Sequence, residues 1–100
     1  MRKKEVVELL KQNKDKLREF GVKRVGIFGS AVRDELREDS DIDLVVEFEE
    51  GKGHLFNFYD FVEFVESLFR RKVDVLTPLG IESIRVKSVK ERIKKEVEYV

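Results

Sequence analysis

The stretch from Gly26 to Phe48 restricts, more than any other, how this chain can fold. A Gly-Ser pair at positions 29 and 30 ends one apolar run, and after ten further residues an Asp-Ile-Asp sequence at positions 41 to 43 opens the next. Short apolar runs bounded by small and polar residues are typical of strands. We therefore predict two strands whose connection begins with the Gly-Ser pair and leads into the two aspartates that open the second strand.

The residue types at the two ends of this connection indicate phosphate and metal chemistry. Side chains alternate along a strand, so Asp41 and Asp43 are expected on the same face. Two such carboxylates suit a hard divalent cation, which prefers oxygen ligands. Gly29 and Ser30, at the start of a short helix, offer backbone N–H groups and a hydroxyl to a phosphate. A metal ion beside a phosphate is the chemistry of nucleotide transfer.

The rest of the chain alternates between helical and strand patterns. Gly21 is predicted to close the first helix in a left-handed conformation. The predicted helices cover 3–20, Ala31 to about Leu36 and 55–70, and a last helix starts at about Ser83. The apolar face of that last helix is formed by Val86, Val89, Ile93 and Val97. The predicted strands cover 23–28, 41–48 and 72–76, with a loop at 49–53 and a turn at 77–80. These patterns predict a single α/β (α+β) domain over residues 1–100, with a short mixed sheet of about three strands packed with about four helices.

A third carboxylate, Asp74, lies in the middle of the last predicted strand, between Val73 and Val75. A buried charge is unfavourable unless it is paired or bound to a metal. If this strand lies beside the strand that begins at Asp41, three carboxylates converge, and such a cluster repels itself without a cation. The alternative is that Asp74 simply faces solvent, which is the commoner situation for a lone aspartate.

Composition limits the partners and the compartment. Lys plus Arg number 21 and Asp plus Glu number 21, so the net charge is zero and no overall basic field argues for nucleic-acid binding. The lack of cysteine excludes disulfides and thiolate metal sites. No apolar run reaches the roughly 18 residues of a membrane span, and the first residues are amphipathic, so we expect a cytoplasmic protein. Charged residues make up 42%, which favours a thermophilic source, with a highly charged mesophilic domain as the alternative.

The order of the motifs points to a known family. The segment GSAVRDELREDSDIDLVVEF resembles the minimal nucleotidyltransferases of the DNA polymerase β superfamily, whose signature is Gly-Ser, roughly ten residues and Asp-x-Asp. Neither the Gly-Ser pair nor the Asp-x-Asp pair is specific for a family by itself. The order in which they occur, along a strand, a short helix, a polar turn and a second strand, is more specific. The resemblance covers most of the chain and implies the small nucleotidyltransferase fold. One departure is Arg33-Asp34, where relatives often have Arg-Gly, and it concerns a detail of the loop.

The resemblance implies a role for each carboxylate. Asp41 and Asp43 would hold two Mg²⁺ ions that bridge the phosphates of ATP. Asp74 would complete the site and act on the incoming hydroxyl as metal ligand, general base or both.

The same resemblance assigns the phosphate contacts. Gly29 and Ser30 would bind the triphosphate tail. Arg33, about one helical turn after Ser30, could reach the phosphates, and an ion pair with Asp39 or Asp41 is an equal alternative.

A partner protein is also implied. In the subgroup that this chain resembles, small proteins act as antitoxins beside a helical toxin with a HEPN domain, and they inactivate it by transferring AMP from ATP to a tyrosine. Phe56 and Phe64, off the main apolar stripe of their helix, are candidate partner contacts, with ordinary packing as the alternative. Two other functions stay open: a nucleotidyltransferase subunit acting on a small molecule or RNA, and a non-enzymatic module that neutralises its partner by contact.

Two polar features are interpreted as ordinary surface. His54 has no second His or Cys to share a metal and is expected in a solvated loop. The basic cluster Arg70-Arg71-Lys72 is expected to be a solvated helix end.

Overall fold

The structure, a computed structural model, describes residues 1–51 and 55–100. His54, residues 52–53 of the predicted loop and the side chain of Phe56 lie outside the described part, so the interpretations of them stay predictions. The elements are α1 (Lys3–Gln12), α2 (Lys14–Glu19), β1 (Val22–Phe28), α3 (Gly29–Val32), β2 (Ile42–Phe48), α4 (Leu55–Phe69), β3 (Val73–Leu76), α5 (Pro78–Glu82), α6 (Lys87–Glu96) and β4 (Glu98–Tyr99). None of these helices is long and apolar enough to cross a membrane.

The strands form one mixed sheet in the order β3-β2-β1-β4. β1 is antiparallel to both β2 and β4, whereas β3 is parallel to β2. The predicted α+β class and mixed sheet are confirmed. Over the described residues, the sheet has one more strand than expected, and the helices are more numerous and shorter.

Both faces of the sheet are covered by apolar packing. The larger cluster includes Val6 and Leu10 of α1, Phe61 and Val65 of α4, and Leu44 of β2. The smaller cluster consists of Phe28, Val45, Ile81 and Ile93, together with partly buried neighbours. Because alternate residues of a strand share a face, Asp43 lies on the same side of β2 as Val45, towards α5 and α6. The acidic residues therefore belong to the face with the smaller cluster.

The first predicted helix is two helices in the structure. Asn13 separates α1 from α2, with φ −109° and ψ 17°, and its side-chain amide donates a hydrogen bond to the Leu9 carbonyl at 2.7 Å. An amide side chain that bonds the preceding turn competes with continuation of the helix. Gly21, with φ 85°, follows α2 in the left-handed conformation, as predicted.

The region after β3 differs most from expectation. Residues 77–80 were predicted to be a turn, but a short helix begins at Pro78, and the Thr77 hydroxyl caps it by accepting from the Gly80 N–H at 3.0 Å. The last helix begins at Lys87 rather than at about Ser83, and Val86, expected on its apolar face, is 58% exposed. The chain then forms β4, which the sequence patterns did not predict.

Candidate active site

Gly29 lies where β1 passes directly into α3, and its backbone brings it against Asp43. Its φ is +63°, a conformation that glycine adopts without strain. A Cβ atom built at this position would overlap a carboxylate oxygen of Asp43. The glycine of the Gly-Ser pair is thus required twice, by the backbone conformation and by the close approach of the carboxylate.

Asp43 lies at the centre of the site because it has a partner on each side. In the antiparallel pair Phe28 is opposite Asp43, and in the parallel pair Asp43 is opposite Asp74. Neighbouring strands lie about 4.8 Å apart, so the two aspartates are direct neighbours across the sheet. The condition set out from the sequence, that the Asp74 strand lies beside the strand that carries Asp43, is met. Asp74 is nevertheless exposed, so it is not the buried mid-strand charge that the neighbouring valines suggested.

The electrostatics of this pair are visible in the pKa of Asp43. Burial of its carboxyl group, followed by repulsion from Asp74 and from Asp41, raises that pKa from 3.8 to about 6, against an opposing effect of Arg33. Asp41 is exposed and precedes the first residue of β2. Asp41 and Asp74 are therefore both close enough to Asp43 to oppose the ionisation of its carboxyl group.

This repulsion fits a bound cation, which would remove it. Among residues 1–51 and 55–100, no three acidic, histidine or cysteine side chains already stand in a metal-ligand arrangement. The donors are all carboxylate oxygens, the ligands that Mg²⁺ prefers. The donor chemistry of these residues fits magnesium, and both a magnesium site at them and their roles in catalysis stay predictions.

Ser30 lines an open polar cavity. The cavity measures about 670 Å³ and is lined by Ser30, Glu35, Arg37, Asp39 and Ser40. These residues belong to α3 and to the connection from α3 to β2. The space beside the Gly-Ser pair is large enough to admit a polar ligand such as a phosphate chain.

Arg33 does not form either of the ion pairs considered from the sequence. Its guanidinium donates to Glu35 at 3.0 Å and to Glu96, rather than to Asp39 or Asp41. The hydrogen bond with Glu96 is the main cause of the raised pKa of Arg33. Whether Arg33 reaches phosphates stays a prediction.

Glu96 is a site residue that the sequence did not single out. It is the last residue of α6, and its carboxylate accepts from the Gly29 N–H at 3.2 Å and from the Arg33 guanidinium. Its side chain is only 18% exposed. Because Gly29 and Glu96 are 67 residues apart, no local pattern pointed to this contact.

Arg71 is a second residue with a structural role that the sequence pattern does not indicate. Its guanidinium donates to the carbonyls of Arg37 and Ser40, at 2.9 and 3.0 Å. It therefore fastens the polar turn that leads into Asp41. Arg70 and Lys72 are exposed as expected, but the prediction that the whole cluster is a solvated helix end is wrong for Arg71.

Asp34, which stands where relatives often have glycine, adopts a backbone conformation typical of glycine. Asp34 has φ 58°, the left-handed conformation that glycine adopts more readily. Its carboxylate accepts from the Lys3 N–H at 2.8 Å and pairs with Arg2 at 2.8 Å. This residue also explains why α3 ends at Val32 rather than at about Leu36, since a left-handed residue ends a helix.

Comparisons with known proteins identify the family. A model of the nucleotidyltransferase domain matches residues 6–100. The protein adenylyltransferase MntA of Thermococcus cleftensis is 38% identical over 97 residues, covering 96% of this chain and 93% of the relative.

Solved structures show the same fold. A structure described as a minimal nucleotidyltransferase superposes with a TM-score of 0.76 at 28% identity, covering 98% of this chain and 95% of that one. A crystal structure of a toxin–antitoxin with AMP-PNP superposes with a TM-score of 0.60 at 15% identity, covering 99% of this chain and 72% of that one, and shows likeness of fold alone. Together with the Gly-Ser and Asp-x-Asp motifs, these matches show that the chain belongs to the nucleotidyltransferase domain family and has the fold of its minimal members.

Proposed function

We propose that this protein transfers AMP from ATP to a hydroxyl group, that of a tyrosine, on a HEPN-type toxin and thereby acts as its antitoxin. The observation that carries the proposal is the strand register, which places Phe28 opposite Asp43 and Asp43 opposite Asp74. The Gly-Ser turn and two carboxylates are thereby gathered at one end of the sheet. The similarity to a protein adenylyltransferase supports a protein as the acceptor.

The residues divide into phosphate contacts and carboxylates. Asp41, Asp43 and Asp74 would hold Mg²⁺, as two ions by the family resemblance, and the metal would neutralise charge on the triphosphate and polarise the phosphoryl group. The Gly29 N–H and the Ser30 hydroxyl donate to phosphate oxygens. The cavity beside Ser30 gives the phosphate chain its approach.

Asp74 is the residue best placed to serve the acceptor. Asp74 is exposed, so a hydroxyl on a second protein can reach it. In the transfer, the hydroxyl oxygen forms a bond to the α-phosphorus, and the bond from that phosphorus to the bridging oxygen breaks. Pyrophosphate leaves, and the hydroxyl proton passes to the Asp74 carboxylate and then to water.

The acceptor surface depends on the partner. Phe64 packs against Phe20 with ring centroids 5.4 Å apart, so ordinary packing accounts for part of its surface. The two rings line a cavity of about 330 Å³ with Asp60, Glu63 and Ser67 on α4. We keep this face of α4 as the candidate contact with the toxin.

A double substitution separates enzymatic transfer from neutralisation by contact. Asp41→Ala with Asp43→Ala should abolish transfer of AMP and leave binding of the partner nearly unchanged. The matched control is Glu49→Ala with Glu50→Ala, which removes two exposed carboxylates just after the other end of β2. If the first double variant still neutralises the toxin, catalysis is not the mechanism and the binding module is the better description.

A further inference from the structure

Two of the three donors expected to meet a nucleotide phosphate, the Gly29 N–H and the Arg33 guanidinium, are already engaged by the chain itself. The Gly29 N–H donates to one carboxylate oxygen of Glu96, at 3.2 Å, and the Arg33 guanidinium donates to the other. A phosphate and a carboxylate offer the same kind of acceptor, two or more anionic oxygens that bind N–H donors. Glu96 thus makes two of the contacts that the family resemblance gives to the triphosphate, those of Gly29 and Arg33.

The surroundings show that this carboxylate is held in place. Glu96 is largely buried, with 18% of its side chain exposed, and it ends α6, whose Ile93 belongs to the smaller apolar cluster. Glu96 is also close to Asp43: its negative charge is among those that oppose ionisation of Asp43 and so raise the pKa of Asp43. A carboxylate near another carboxylate is unfavourable unless donors such as Gly29 and Arg33 hold it there.

We infer that Glu96 is a built-in competitor for the nucleotide phosphates, an inference that rests on the proposed function. In the nucleotide-free protein it satisfies the Gly29 N–H and neutralises Arg33. An incoming triphosphate displaces it, and the free energy of breaking these two contacts weakens nucleotide binding. Glu96 therefore sets the affinity for nucleotide.

The inference is tested by calorimetric titration with the α,β-methylene analogue of ATP in the presence of Mg²⁺. Glu96→Gln keeps the shape of the side chain but removes its charge. It should bind the analogue about three- to tenfold more tightly than the original protein, because a neutral amide is a weaker acceptor for the two donors. Glu91→Gln, which removes an exposed carboxylate from the same helix, is the matched control and should bind as the original protein does.

Two further probes make the test specific for phosphate. Tripolyphosphate should show the same gain in Glu96→Gln, whereas adenosine, which lacks phosphates, should show none. If Glu96→Gln does not fold, Glu96→Asp takes its place: its carboxylate is one methylene shorter, reaches the donors less well and should also give a gain.

The outcomes distinguish this inference from the proposed function. Equal or weaker binding of the analogue by Glu96→Gln would overturn the inference, and would mean that Glu96 positions Arg33 for the nucleotide. Failure of the original protein to bind the analogue at all would contradict the proposed function and, with it, the inference. Tighter binding of the analogue and of tripolyphosphate, without tighter binding of adenosine, would support it.

Discussion

Gly29 and Asp43 approach each other so closely that no side chain fits between them: a Cβ atom at Gly29 would overlap the Asp43 carboxylate. This contact joins the end of β1, which carries the Gly-Ser pair, to the start of β2, which carries the Asp-x-Asp pair. The spacing of the two motifs along the chain is thereby converted into direct contact. The phosphate-contact motif and the carboxylate motif therefore meet at the Gly29–Asp43 contact.

Gly29→Ala should reduce AMP transfer on the order of 100-fold, because displacing a reacting group by about 1 Å has an effect of that size. The overlap forces the Asp43 carboxylate to move, and the left-handed φ of +63° adds strain of about 1–2 kcal/mol for a residue with a Cβ. Transfer is measured with labelled ATP, and stability by urea denaturation.

Gly51→Ala is the matched control for that change. Gly51 also has a left-handed φ, +76°, but nothing lies within 4 Å of a Cβ built there. It should lose only the stability that the backbone strain costs and keep its transfer activity. Equal activity in both variants would contradict the importance of the Gly29–Asp43 contact.

The contribution of Asp43 to the stability of the metal-free protein should decrease as pH rises through the window from 3.8 to about 6. The pKa of Asp43 is raised in the folded protein by burial and by Asp74, so within this window the folded state holds a proton that the unfolded state has lost. Stability falls with pH wherever the folded state binds more protons. The free energy of unfolding is measured by urea denaturation at several pH values with a chelator present.

Asp43→Asn isolates this contribution from the other carboxyl groups. The variant should be more stable than the original protein above the window and show a smaller decrease across it. Added Mg²⁺ should restore stability to the original protein at neutral pH but have little effect on the variant. Identical pH profiles for the two proteins would show that Asp43 does not titrate as described.

Arg71→Ala should weaken activation by Mg²⁺, because Arg71 holds the carbonyls of Arg37 and Ser40 just before Asp41. We expect the Mg²⁺ concentration for half-maximal activity to rise roughly tenfold. A tenfold change corresponds to a free energy close to that of one hydrogen bond from a charged donor. The maximal rate at saturating Mg²⁺ should change less. The measurement is the rate of transfer as a function of Mg²⁺ concentration.

The neighbouring Arg70→Ala is the control for that experiment, since Arg70 is exposed and follows α4. Arg71→Lys should fall between the original protein and Arg71→Ala, because an ammonium lacks the fork of donors that a guanidinium offers. A lower maximal rate with unchanged Mg²⁺ dependence would argue against a positioning role.

The stability of variants at Asp34 tests whether its left-handed conformation is strained, since relatives often have glycine at this position. Asp34→Ala should lower the free energy of unfolding by about 1 kcal/mol, since it loses the hydrogen bond with Lys3 and keeps an unfavourable φ. Asp34→Gly loses the same contacts but relieves the conformation by about 1 kcal/mol, so it should be close to the original protein. If the alanine and glycine variants are equally stable, the left-handed conformation is not a significant strain.

The sequence predicted those parts of the fold that have local signals. Gly21 ends the first helical region, and the apolar runs before Gly29 and after Asp41 form β1 and β2. Thr77 and Pro78 also carry a local signal, a capping residue followed by a proline, and it marks the start of a helix rather than the predicted turn.

Other parts depend on contacts between distant residues. β4 has only two residues, and it pairs with β1 at Gly26, where an added Cβ would meet the Glu98 carbonyl at 3.0 Å. Glu96 and Arg71 each lie in a charged segment that looks like ordinary surface. Their importance arises from tertiary hydrogen bonds, which composition and periodicity do not encode.

The most direct test of the central claim is the intact mass of the partner toxin after incubation with this protein, ATP and Mg²⁺. The toxin is taken as the product of the neighbouring gene. We expect the toxin to gain the mass of one or more AMP units, and to gain none when the Asp41→Ala, Asp43→Ala double variant replaces the original protein. An unchanged toxin mass in a stable complex with the original protein would contradict the account and favour neutralisation by contact alone.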